Sequence, residues 1–533
     1  MKQTMKQHSF TSCLKSLAIV FGMALAFASC ANEDVPQNPT KPNEDNDKNL
    51  TTFMAGGETR TSLDYSGNFY WGIHDYIYVI DDDGILQKSW DAPKKSKVAA
   101  FKYKVPGKFT ANTSYKVYYL GKYSDGSSVT ISTAQSQIVP DSTDFGTAGD
   151  YGTATATGTL GGGSFSFELE HQPAYLVFLP YTSNTILKKC YLTKIEVISD
   201  NDIAETYTFN PTTGALDASP VTNGNKIVLT TKGILGSNYV KGFPLTNSTA
   251  SVTTNGAYMV IKPGTHTLKV RYWVRDEVSN VEGAITKILP STTYASNTYY
   301  DMTANLDVRD YDGDHYYSWD AQQQYWYGYE WTKHLPGNTG QPTLKGNRSS
   351  NYAQSSADPR YYNGSYLGYR VSNPAIHSCK DLPNANELSW YCMYGEPHWD
   401  ADELWTTMGH LYKGGMWFKK KSVLQSEHHY DTEKSADGIT DLRTMDKDYE
   451  NSSINSGPPS AADANNYFYL PALGYYYEEE LQSIGPYGVG CYWSSSANPT
   501  YSTYAYDLRF SGSDVEVGSH VRRIGSRVEP TFK

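Results

Sequence analysis

The chain has 533 residues with 56 acidic against 45 basic side chains, and its formal net charge of −11 disfavours nucleic acid and anionic membrane surfaces, both of which are bound through basic patches. Tyrosine is exceptionally abundant at 46 residues, and long helical periodicities are scarce, so the composition points to an exported, mainly β protein of roughly three domains and away from a helical bundle.

Residues 1–30 read as an address. Lys2, Lys6 and Lys15 form a basic start, and Leu17 to Ala28 is apolar but too short to span a bilayer. The run ends Phe27-Ala28-Ser29-Cys30 and resembles a bacterial lipoprotein signal, which implies cleavage before Cys30 and lipidation of that residue. A plain secretory signal with a chance cysteine is the alternative. Glu33 and Asp34 resemble the surface-export signals of Bacteroidales lipoproteins. From residue 31 to 50 almost nothing is apolar, and such a segment cannot bury enough surface to offset its ordering entropy, so it reads as a disordered tether. Beyond Cys30 no long apolar run follows, which leaves the lipid as the expected anchor in the outer membrane.

A first β-sandwich is expected over residues 51–186. Ser66-Gly67-Asn68 is a hairpin turn between apolar flanks, and Asp81-Asp82-Asp83-Gly84 closes the next strand. Phe165, Phe167 and Leu169 alternate as one face of a strand, and His171 to Phe178 continues into the core. A second sandwich is expected over 187–310, with strands at Leu192 to Ile198 and Leu268 to Val274 and a turn at Asn210-Pro211-Thr212-Thr213-Gly214. Thr59-Arg60-Thr61, Trp71 and Asp75, then Phe165 to Phe178, and the Tyr258 to Gly264 strand and turn together resemble the fimbrillin family. That resemblance implies two fimbrillin-like β-sandwich domains, and partners that are other pilus subunits joined by donor-strand addition after trimming at Lys48 or Arg60. An unrelated pair of exported sandwiches is the alternative.

Residues 311–335 are an aromatic junction, too rich in Tyr and Trp for a free linker. Its rings are expected to pack between domains, with a sugar-binding platform as the other reading. The last domain, 336–533, opens with a Gly/Ser/Asn/Tyr-rich stretch. Asn384 is set to cap a helix with Glu387 three residues on, Leu388, Tyr391 and Cys392 form its apolar face, and Gly395 stops it. Near the C-terminus Tyr506, Leu508 and Phe510 alternate with Asp507 and Arg509, and Val515 and Val517 with Asp514 and Glu516, predicting two half-buried strands around the turn Ser511-Gly512-Ser513.

Tyr492-Trp493-Ser494-Ser495, Tyr506 to Phe510, Val515 to Val517 and Arg523 to Val528 resemble the core of bacterial C-type-lectin-like domains of the Fibrobacter major paralogous type. The resemblance implies an α+β C-type-lectin-like recognition domain behind the two sandwiches. It also resembles lectin-like domains diversified by mutagenic retroelements, whose ligand faces lie near the C-terminus. The ligand-binding residues expected on that face are Tyr492, Ser495, Asn498, Tyr501, Tyr504, Ser513, Ser519 and His520, with Trp493 packed beneath. Tyrosine offers rigid amphipathic contact area, and Ser and Asn offer adaptable hydrogen bonds. An ordinary sheet edge with polar loops is the bland alternative.

No catalytic set, metal site or cofactor is called for. His428-His429 beside Asp431 lack a third ligand at a set spacing. Calcium-bridged sugar binding would use a Trp-Asn-Asp motif that is absent, with Glu396-Pro397-His398 in place of the usual Glu-Pro-Asn. The related formylglycine-generating fold uses a cysteine pair that Cys379 and Cys491 do not match. Cys190, Cys379, Cys392 and Cys491 fit no metal spacing, and a Cys379–Cys491 bridge stays open. Three classes therefore compete: a non-catalytic cell-surface or fimbrial tip adhesin for a host, bacterial or glycan ligand; a structural pilin or anchor subunit; and a glycan-capturing or glycan-processing surface lipoprotein.

Overall fold

Strand Leu50–Ala55 turns Phe53 and Ala55 inward and Met54 outward, and it is held on both sides, antiparallel to Phe101–Pro106 and parallel to Ser164–Phe167. The computed structural model describes residues 4–9, 50–56, 62–63, 69–95, 97–141, 145–311, 313–329, 351–478 and 480–529. Cys30, the tether up to residue 49 with Lys48, Thr59-Arg60-Thr61, the Ser66-Gly67-Asn68 turn and the expected domain start at Pro336 lie outside the described residues. The arms of that first hairpin are described: Ser62–Leu63 pairs antiparallel with Phe69–Tyr70.

The first module is an eight-stranded sheet folded over itself, so that its inner face supplies both layers of the core. Its two ends meet where Trp90 N–H donates to the Lys104 carbonyl at 2.7 Å. Phe53 stacks on Phe165 at 5.3 Å between ring centroids, and Trp71 meets Tyr103 and Tyr119 edge-on. Phe165, Phe167 and Leu169 all point inward, as the alternation predicts. Buried Asp75 accepts from Gly72 N–H at 2.5 Å and from the Tyr119 hydroxyl at 2.9 Å, which fixes the loop after Trp71.

Pairing does not follow the boundary expected at residues 186 and 187. Strand Ala174–Tyr181 lies between Ala257–Ile261 and Thr298–Asn305, and is therefore part of the second body. Strand Ala134–Ser136 joins Lys226–Thr230 in that body's other sheet. A strand belongs to the sheet that completes its backbone hydrogen bonds, whatever its place in the chain. At this seam His171 Nδ1 lies 2.9 Å from Asp150 Oδ1, which also accepts from the Tyr175 hydroxyl at 2.6 Å, with all three side chains buried.

Residues 4–9, inside the segment read as an address, are described as a strand. Strand Thr4–Ser9 runs antiparallel to Thr298–Asn305, from Thr4 opposite Thr303 to Ser9 opposite Thr298, and forms the outer edge of the four-stranded sheet.

The opposing ten-stranded sheet crosses into the C-terminal domain. Glu282–Tyr294 bridges in parallel to His398–Thr407 at Ala284 and Glu403, and the sheet continues through His410–Lys419 and Tyr467–Pro471. Leu404 and Leu411 sit in the same hydrophobic cluster as the second sandwich. The junction residues Tyr316, Trp319, Tyr325 and Trp326 are buried, and Tyr316–Tyr317 pairs with Ser526–Arg527. The described part of the junction therefore pairs and packs with the C-terminal strands. Helix Ala385–Tyr394 carries the full capping box, with the Asn384 side chain accepting from Glu387 N–H and the Glu387 carboxylate accepting from Asn384 N–H. Leu388, Tyr391 and Cys392 pack beneath the six-stranded sheet. Cys379 and Cys491 are both buried and free, so the bridge left open by the sequence is not formed.

Candidate recognition face

Strands Gly490–Ala497, Tyr504–Phe510 and Val515–Val521 form the centre of the C-terminal sheet. Tyr506, Leu508, Phe510, Val515 and Val517 face the helix, and Trp493 packs on the opposite side with its indole N–H donating to the Tyr317 carbonyl at 2.8 Å. The loop 498–503 joins the first two strands, and it is stiff because Asn498 is fully buried inside it. Asn498 Oδ1 accepts from Thr500 N–H at 2.7 Å and Tyr501 N–H at 2.8 Å. Its Nδ2 donates to Asp446 Oδ1 at 2.7 Å and Ser519 Oγ at 2.9 Å. Every polar position of the amide is used, so its burial costs little net free energy.

This clamp presents Tyr501, which is 56% exposed, with the Tyr504 ring 5.9 Å away. Arg522 fixes the base of the loop from below. Its Nε donates to the Tyr504 carbonyl at 2.9 Å, Nη1 donates to the carbonyls of Asn363 and Ser365, and the guanidinium lies 4.5 Å from the Trp319 ring centroid. A second loop is tied to the first where Arg370 N–H donates to the Pro499 carbonyl at 2.9 Å. That loop exposes Leu367 at 67%, Tyr369 at 59% and Val371 at 43%. Its far end is held by buried Asp320, whose carboxylate accepts from the N–H groups of Ile376, His377 and Cys379 and from the Asn363 side chain.

The eight expected site residues divide. Tyr501 and Tyr504 stand together at the loop, with Ser519 and His520 on the neighbouring strand. Tyr492 is in the core, its hydroxyl donating to the Pro471 carbonyl at 2.7 Å, and Asn498 is the clamp; neither projects. Ser495 is half-buried, its N–H donating to the Pro383 carbonyl and its carbonyl accepting from Ala375 N–H. Ser513 lies in the turn at the other end of the hairpin, seven residues along from His520 and so roughly 23 Å away. Leu367, Tyr369 and Val371, exposed on the adjoining loop, were not among the expected residues. Their signal was apolar side chains without any period inside a Gly/Ser/Asn-rich stretch.

His520 Nδ1 lies 2.8 Å from Asp507 Oδ1, and the buried Asp507 carboxylate raises the histidine pKa above its ordinary value. Burial pushes Glu516, on the same face, upward as well. Ser519 stands on the other face of its strand from His520, hydrogen-bonded to Asn498, so the pair does not form a nucleophile–base arrangement. The His429 ring stacks on Tyr394 at 4.1 Å, and among the described residues no group of three or more His, Cys, Asp or Glu is placed to hold a metal. A separate concavity of about 570 Å³ lies at the end of the helix, walled by Met393, Tyr394, Glu396 and the 451–455 loop.

Among solved structures, the chain is similar to a candidate cell adhesion protein from Bacteroides ovatus, at 14% identity and a TM-score of 0.30, over 48% of this chain and 93% of that one. A fimbrial protein from Bacteroides ovatus matches over 90% of this chain and 98% of its own, at 10% identity and a TM-score of 0.22. The fimbrial anchor protein Mfa2 from Porphyromonas gingivalis matches over 46% of this chain and 82% of its own, at 11% identity and a TM-score of 0.19. No protein-family model and no curated protein matches the chain.

Proposed function

We propose that the chain is a non-catalytic surface adhesin, lipid-anchored through Cys30 and spaced from the outer membrane by residues 31–50, which binds a glycan or protein ligand through its C-terminal domain. One observation carries this reading: Tyr501, Leu367 and Tyr369 are held out to solvent by two loops whose backbones are fixed by the buried side chains of Asn498, Arg522 and Asp320. Rigid aromatic contacts on pre-ordered loops lose little entropy on binding. The test is glycan- and protein-array binding by residues 31–533. That length is needed because Leu404 and Leu411 pack in the second sandwich, and a fragment 336–533 would expose them. A bound ligand should lose about 1–2 kcal/mol of affinity with Tyr501→Ala, and similarly with Tyr504→Ala, as central aromatic contacts do. Binding unchanged in both variants removes this face from the proposal.

A structural pilin or anchor subunit is the second reading, and the edge formed by Thr4–Ser9 favours it. Cleavage before Cys30 would remove that strand and open the outer edge of Thr298–Asn305, which keeps Ala174–Tyr181 on its other side, as a template for a strand from another subunit. N-terminal sequencing of surface-extracted protein and cross-linking at Thr303 separate a monomeric adhesin from an assembled subunit.

A further inference from the structure

A cleft of about 680 Å³ opens where the first module meets the hairpin formed by Glu205–Asn210 and Ala215–Pro220. Its floor follows from strand alternation. Val117 and Ala156 turn into the core, so Lys116, Thr153 and Thr155 face out, with Lys116 opposite Thr155 and Tyr118 opposite Thr153. The hairpin tip forms the roof and is fastened to the floor by the Tyr118 hydroxyl, which donates to the Gly214 carbonyl at 2.6 Å. Gly214 has a φ of +65°, a conformation that allows the tight turn to bring its carbonyl over the sheet. Tyr151 and Tyr207 close one end with ring centroids 4.6 Å apart, and Glu168, Glu170 and Gln172 line the side.

The chemistry of these walls excludes several ligand classes. A phosphate or carboxylate would face Glu168 and Glu170, with Lys116 the one cation among the described residues that line the cleft. An aliphatic chain would desolvate threonine, glutamate and glutamine without a continuous apolar wall. A polycation would meet Lys116 beside the two carboxylates. Burial raises both phenols that close the end, with Tyr207 pushed up to about 12, so they remain neutral hydroxyl groups beside ring faces. Carboxylates, a carboxamide, threonine hydroxyls and tyrosine rings together match the alternating hydroxyls and C–H faces of a sugar. A site at a domain junction and of this volume is also of ordinary ligand-binding size.

We propose that this cleft binds a neutral saccharide, independently of the C-terminal face. Isothermal titration of residues 31–533 with maltohexaose, cellohexaose, xylohexaose, mannohexaose and β-1,4-linked N-acetylglucosamine hexamer tests it, with octalysine and inorganic phosphate as the competing chemistries. At least one of the five sugars should bind. Glu170→Ala and Thr155→Arg, both at exposed positions, should each weaken that binding at least tenfold while Tyr501→Ala leaves it unchanged. Circular dichroism melts of the two cleft variants confirm that they fold, and Glu170→Ala alone decides the matter if Thr155→Arg does not. The proposal is overturned if none of the sugars binds at millimolar concentration, if octalysine or phosphate binds in their place, if binding survives both cleft variants, or if Tyr501→Ala abolishes it.

Discussion

Arg271 Nη2 lies 2.9 Å from Asp400 Oδ1, joining the second sandwich to the C-terminal domain between side chains that are almost wholly removed from solvent. Around them Lys269 donates to the Pro459 carbonyl at 2.5 Å, and Glu403 bonds the Thr286 hydroxyl at 2.6 Å. Burial, then the nearby Asp400 carboxylate, pushes Glu403 up to about 7. A charge pair of this kind adds little net stability, but leaving one member alone is costly. Asp400→Ala should destabilise the chain by about 3–5 kcal/mol in urea melts, whereas the double change Arg271→Met with Asp400→Leu should recover most of that loss. An Asp400→Ala protein as stable as the wild type would show that the pair does not bind the two domains together.

Asn498 is the residue whose removal should most affect the exposed loop. Asn498→Ala removes the acceptor of two loop N–H groups and one of the donors to Asp446, which keeps the Tyr506 hydroxyl, and about 0.5–1.5 kcal/mol should be lost per hydrogen bond. Amide hydrogen exchange at Thr500 and Tyr501 should rise well before the rest of the sheet opens. Protection unchanged at those two amides would contradict the clamp.

The His520–Asp507 contact makes a prediction about pH. Asp507 raises the histidine above its ordinary value near 6.5, so the folded state holds the proton more tightly than the unfolded one. The stabilisation is fully present below that ordinary value and fades as pH rises through the higher folded one. NMR titration should place His520 above 6.5 in the wild type and lower in Asp507→Asn. Identical titrations would remove the electrostatic account.

The anchor is checked by fractionation. If Cys30 carries the lipid anchor proposed above, Cys30→Ala should release the protein from the outer membrane. Unchanged fractionation of that variant would end the lipoprotein reading.

Strand Leu50–Ala55 bears on trimming. Phe53 is fully buried between Phe109, Tyr115 and Phe165, so a cut at Arg60 that removed the strand would empty the centre of the first module. Phe53→Ala should cost about 3–5 kcal/mol. A chain trimmed at Arg60 should stay folded only when a strand from another chain refills the gap, which mass spectrometry of extracted assemblies would detect.

What was legible in the sequence is what is local. The Asn384–Glu387 box closes within one helical turn, and Phe165, Phe167 and Leu169 declare their face by alternation alone. Asn498 was misread because Asn-Pro-Thr looks like an exposed turn, while the groups that bury it are Asp446 and Ser519, 52 and 21 residues distant. Tyr492 sits among serines that suggest a surface, yet the carbonyl it needs belongs to Pro471 on another strand. The crossing from Ala284 to Glu403 leaves no local trace, since parallel pairing joins segments through long connections.

That crossing has a mechanical consequence. A head joined to its stalk by a bare linker swivels freely and transmits tension only along one covalent strand. Here the two sides are joined by a shared sheet, the Arg271–Asp400 contact and a hydrophobic cluster common to both. Load applied on one side of the crossing therefore reaches the other through hydrogen-bonded strands and packed side chains as well as along the covalent chain.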